Sequence, residues 1–132
     1  GGGGPRPPPK PRGPLEMVDD RSFKQFLDDA VKTKRPVVLV FAPEGNSLPA
    51  MLGKLKDKEE LKKAKFAQST GDKRSQLARK YKVKNTPAVL ISTRGEPTEL
   101  RVFEGKLEEE YLERAIGIAV RSNTKKEKKE EK

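Results

Sequence analysis

Hydrophobic positions fall into two kinds of pattern along the chain. Val37-Val38-Leu39-Val40-Phe41 and Ala88-Val89-Leu90-Ile91 are unbroken apolar runs. A run without polar alternation fits a strand buried on both faces of a parallel or mixed sheet, which places the first run at the sheet centre. Elsewhere the apolar residues recur every three or four positions. Phe23, Phe26, Leu27, Ala30 and Val31 share one helical face, with Lys24, Asp28, Asp29 and Lys32 turned outward. Leu48, Met51, Leu52 and Leu55 make a second helix that starts near Asn46 and Ser47 and kinks or restarts before Leu61 at the acidic stretch Asp57 to Glu60. Leu107, Tyr111, Leu112, Ala115, Ile116 and Ala119 make a terminal helix for the opposite sheet face.

Weaker signals complete the order. Lys65 to Thr70 reads as a strand, and Gly71-Asp72 leads into a short helix carrying Leu77, Ala78 and Tyr81. Thr93-Arg94-Gly95-Glu96-Pro97 separates Ala88–Ser92 from Thr98–Phe103 as a hairpin, and Pro97 marks the later strand as an edge because proline donates nothing to a ladder. Ser22-Phe23-Lys24-Gln25 matches a capping box for the first helix. The pattern therefore predicts an α/β fold, a mixed sheet of four or five strands with helices on both faces.

Pro87 stands at the entrance to a buried strand, after Lys84-Asn85-Thr86. Proline there is read as a deliberate turn that admits a cis peptide bond. After the central strand comes the loop Ala42-Pro43-Glu44-Gly45-Asn46-Ser47-Leu48-Pro49, a helix entrance. Strand, loop and long helix, then a Thr-Pro turn facing that loop, resemble the thioredoxin fold over residues 16 to 121. Where that family carries Cys-x-x-Cys, this chain reads Asn46-Ser47-Leu48-Pro49, and Val40 stands in place of the buried acid that often precedes the strand-end aromatic. The resemblance implies a redox-inactive, protein disulfide isomerase-like scaffold of the kind used for docking or chaperone-like work, including in J-domain co-chaperones. It places partner binding at Gly45, Asn46, Ser47, Leu48, Pro49, Thr86 and Pro87, with the backbone before the proline pairing to an extended protein or peptide client by strand addition. A purely structural turn at Thr86-Pro87 is the competing reading.

Length and composition narrow the chemistry. The 132 residues suit one domain with tails: a Gly/Pro-rich linker at 1–14, the domain at 15–122 and a charged tail, expected to be disordered, at 123–132. The linker contains Pro-x-x-Pro spacings suited to an aromatic groove, although a tether to a larger parent protein is the plainer reading. Lacking an initiator methionine, the chain is expected to be a processed or excised fragment, with the cytoplasm and the endoplasmic reticulum lumen both open as its compartment. Its apolar runs are far too short to span a bilayer.

Cysteine and histidine are both absent, which excludes thiol exchange, thiolate nucleophiles and imidazole base catalysis within the chain. Ser47 at a helix start has no accompanying base and reads as a helix cap. Gly71-Asp72-Lys73 and Gly1 to Gly4 lack the spacing of phosphate loops, and Glu108 to Glu110 read as a solvated row. No cofactor or metal is therefore expected, and the chain is read as a non-enzyme. The formal charge is +10, of which Arg6, Lys10 and Arg12 carry three and residues 123 to 132 a further two, leaving +5 on the body. A basic nucleic-acid-binding module with nonspecific electrostatic contacts is the alternative function. It lacks a stacking platform, since Phe23, Phe26, Phe41, Phe66 and Phe103 all sit at core positions in the pattern.

Overall fold

The computed structural model describes residues 15 to 130, without 44, 70–74, 94–95 and 106, and without the side chains of 93–98 and 123–130. Its five strands are β1 (Glu16–Val18), β2 (Val37–Phe41), β3 (Lys65–Ser69), β4 (Ala88–Thr93) and β5 (Glu96–Glu104), arranged β1-β3-β2-β4-β5. β1, β3 and β2 run parallel, whereas β2, β4 and β5 are antiparallel, so the sheet is mixed. The helices are α1 (Ser22–Thr33), α2 (Leu48–Leu55), α3 (Gln76–Lys80) and α4 (Glu109–Glu130).

Every residue of β2 is fully buried. Successive strand side chains point to opposite faces. Val38 and Val40, with Val89 and Ile91, therefore join one core with Leu48, Leu52 and Leu55 of α2 and Leu112, Ile116 and Ala119 of α4. Val37, Leu39 and Phe41 join the other core with Phe23, Phe26 and Ala30 of α1 and Leu77 and Ala78 of α3. Ser92 closes the lower end of this centre: its buried hydroxyl accepts from the Val37 amide at 2.7 Å and donates to the Val37 carbonyl at 3.3 Å.

β5 is the outer strand beside β4, as Pro97 predicts, and its ladder shifts register at Ser92/Thr93. The hairpin tip at 94–95, the Gly71-Asp72-Lys73 turn and the leader lie outside the described residues. β1 is a strand without a sequence signal, because three residues are too few to show periodicity.

Two expectations are corrected. α1 is not capped by Ser22 and Gln25: Asp19 Oδ1 accepts from the amides of Arg21 (3.0 Å) and Ser22 (2.7 Å), and Ser22 Oγ accepts from the Asp19 amide (2.9 Å). This is the reciprocal arrangement of a capping box displaced three residues toward the N-terminus, with Gln25 instead donating to Asp29 at 3.0 Å. α2 neither kinks nor restarts as a helix. It ends at Leu55, and turns through Lys58 and Lys62 drop Leu61 into the core. The α4 backbone runs to Glu130.

The Ser22 amide, foremost among its partners, holds the exposed Asp19 carboxyl below its ordinary range. A depressed carboxyl stabilises the fold above its unfolded pKa and loses that contribution as pH falls through the folded value. Asp19→Ala should accordingly lower the thermal midpoint at neutral pH, and the gap from the parent should close in acid, read by circular dichroism melts across pH.

Candidate functional site

The β2–β4 ladder ends at Phe41 opposite Ala88, so the loop leaving β2 and the loop entering β4 emerge side by side at one end of the sheet. In the first loop the Asn46 amide donates to the Pro43 carbonyl at 3.1 Å, and Gly45 takes φ +84, a left-handed conformation that suits glycine. Asn46 Oδ1 then accepts from the Leu48 amide at 2.8 Å, and the Ser47 carbonyl receives the first helical bond from Met51 at 3.1 Å.

Ser47 occupies the cap position, yet its hydroxyl accepts no bond from the helix. The expectation that Ser47 is the cap is thus corrected, and the adjacent Asn46 supplies the oxygen. Pro49 lies in the first helical turn, where a missing amide costs nothing. Leu48 and Pro49 are buried, Leu48 within the core beneath the loop, whereas Gly45 and Ser47 are exposed and Asn46 is half-buried.

In the second loop the Thr86–Pro87 bond is cis, and both residues are half-buried. Strand pairing begins only at Ala88, which leaves Thr86 outside the ladder. The approach to it is fixed from β5: Glu104 sits opposite Ala88, accepting from the Lys84 amide at Oε1 and from Asn85 Nδ2 at Oε2, both at 3.2 Å. The Lys84 amide, followed by the Asn85 side chain, holds the Glu104 carboxyl below its ordinary range.

Of the seven residues placed at the site from sequence, five share this end of the sheet as surface or partial surface, and Leu48 and Pro49 support the loop from below. Glu104 is the positioning residue that sequence reasoning missed. Only the hairpin register brings it to Ala88, and the shift of that register at Ser92/Thr93 leaves no mark in the sequence.

The chemistry available is narrow. With no cysteine, a thioredoxin-type dithiol reaction has no thiol to run on. Among the described residues no group of three or more acids, histidines or cysteines is placed to hold a metal ion, and no helix is long and apolar enough to cross a membrane. Phe23, Phe26, Phe41 and Phe66 are buried as expected; Phe103 is only half-buried.

Two measurements separate the supporting residues from the surface ones. Leu48→Ala should cost about 2–5 kcal/mol in denaturant unfolding, as a large-to-small change in a core does. Glu104 should titrate below the ordinary carboxylate range, and the Lys84 and Asn85 NMR signals should follow it. The clamp is intact above that pKa and released below it, and in Glu104→Gln the two signals should no longer track pH.

No family model matches the chain, and no curated protein matches it. Solved structures do. Thioredoxin NaTrxh from Nicotiana alata superposes with a TM-score of 0.62 at 15% identity, covering 82% of this chain and 96% of that one. The first thioredoxin domain of mouse protein disulfide-isomerase A4 superposes with a TM-score of 0.57 at 20% identity, covering 82% and 79%. At these identities the likeness is one of fold, and the chain has a thioredoxin-like fold without the Cys-x-x-Cys motif.

Proposed function

We propose that this chain is a redox-inactive, non-enzymatic interaction module that docks an extended peptide or protein segment against Thr86–Pro87 and the loop Gly45–Pro49. The observation that carries this reading is the Glu104 clamp on Lys84 and Asn85, which holds the Thr86 backbone, outside the ladder, next to a loop that contains no thiol. A client strand aligned there gains backbone hydrogen bonds from Thr86 and contact area from the exposed loop, the economy of strand addition. Docking or chaperone-like work of this sort needs no cofactor. A proline-rich leader suits tethering the module to a larger parent protein.

An insulin-reduction assay should show no turnover. Titration of a labelled chain with a short extended peptide should move amide signals at 45–49 and 84–88 together. Because Leu48 is a core residue, a charge at that position would test folding; the exposed Ser47 is the cleaner probe. Ser47→Arg should weaken the peptide while leaving the melting curve unchanged. Shifts confined to other surfaces, or a Ser47→Arg variant that binds normally, would overturn the proposal.

A further inference from the structure

A second recess lies away from the loop pair, between the outer strand β5 and helix α4, with a volume of about 710 Å³. Residues 99, 101 and 103 of β5 share the sheet face that α4 covers, and Phe103 packs against the core of that face. Along α4, Tyr111, Arg114, Ala115 and Ile118 follow at three- and four-residue spacing and present one side to the same recess.

Two features make this surface unusual. Tyr111 and Ile118 are 53% and 52% exposed, two of the three large hydrophobic side chains left open among the described residues. Tyr111 also meets Phe103 edge-on, with ring centroids 5.9 Å apart, so the apolar floor continues from helix to strand. Cations flank that floor: the Arg101 guanidinium lies 5.3 Å from the Phe103 ring centroid, and Arg114 stands one helical turn from both Tyr111 and Ile118. Glu99 is the acid among the lining residues. Meanwhile β5, nine residues long, is the last strand of the sheet and pairs only with β4 among the described strands.

We propose that this groove docks an acidic peptide, which adds as a strand to the outer side of β5, seats an apolar side chain among Phe103, Tyr111 and Ile118, and pairs its carboxylates with Arg101 and Arg114. Charge selects this occupant over two others. A second copy would bring Arg101 and Arg114 against their own counterparts between chains that each carry +10. The chain's own leader carries Arg6, Lys10 and Arg12 with no acid, and prolines that cannot donate to a ladder. A strand whose every second residue is in turn apolar and acidic, with small polar residues between, meets both demands, since only every second side chain faces the groove.

The test uses the full chain and a fluorescein-labelled peptide of repeating valine-serine-glutamate-serine, which sets valine and glutamate on one face, read by anisotropy at low salt, with a valine-serine-lysine-serine peptide as control. The glutamate peptide should bind, weaken as salt rises, and move amide signals at 99–104 and 111–118. Ile118→Asp should weaken it about tenfold, the effect of removing a central apolar anchor, with an unchanged melting curve because the side chain is exposed. Arg101→Glu with Arg114→Glu should reverse the preference toward the lysine peptide. Four results would each overturn the proposal: equal binding of both peptides, undiminished binding by Ile118→Asp, shifts confined to the lysines of 123–132, or sedimentation of a dimer that Ile118→Asp abolishes. Shifts at 45–49 and 84–88 instead would assign the peptide to the Thr86–Pro87 loops, so the two proposals fail separately.

Discussion

Burial of β2 on both faces is the constraint on which the rest of the molecule depends. Its five apolar side chains alternate between two cores, and each fully buried Val, Leu or Phe is worth about 1.5–3 kcal/mol. Neither face can be left to water. One therefore requires α1 and α3, the other α2 and α4, and the strand's two edges require β3 and β4 to satisfy its amides and carbonyls. The position of the candidate site is a by-product of this arrangement. Where the ladder stops at Phe41 and Ala88, two loops must leave the sheet together, and the Ser92 hydroxyl bonded to Val37 closes the opposite end.

Much of this was legible because the signals were strong and long. The two unbroken apolar runs became the central strands, the helical periodicities became α1, α2 and α4, and the two prolines marked a turn and an edge. What escaped was local and degenerate. Asp19-Asp20-Arg21-Ser22 and Ser22-Phe23-Lys24-Gln25 are overlapping four-residue frames with similar capping chemistry, and the deciding hydrogen bonds are invisible in the string. The same ambiguity lies between Asn46 and Ser47, two good caps in succession, of which only the first is used. Leu48 illustrates a different failure. A helix start is near a surface by topology, but the first apolar residue of an amphipathic helix can face inward, and here it does.

Removing the thiols from this scaffold changes what its parts are for. Asn46, in a loop of the kind that elsewhere positions a reactive sulfur, instead accepts the Leu48 amide, and Pro43, Gly45 and Ser47 are exposed among the loop's described residues. Such residues offer shape and backbone contact. The Glu104 carboxylate adds two charge-assisted hydrogen bonds beside the loops. It acts on the Lys84 backbone and the Asn85 side chain.

β5 links the two recesses without making them one. Alternation along the strand sends Phe103 to the α4 side, and the next residue, Glu104, reaches to the loop before Thr86. The apolar groove and the clamped loop are thus built from consecutive residues facing opposite ways. Glu104 holds its position only while β5 keeps register with Ala88, and a strand added to the outer side of β5 would bond to the edge that β4 leaves open. An occupied groove would therefore brace the strand that carries the clamp while leaving the clamp's own hydrogen bonds untouched, because those are made across the inner side toward Lys84 and Asn85.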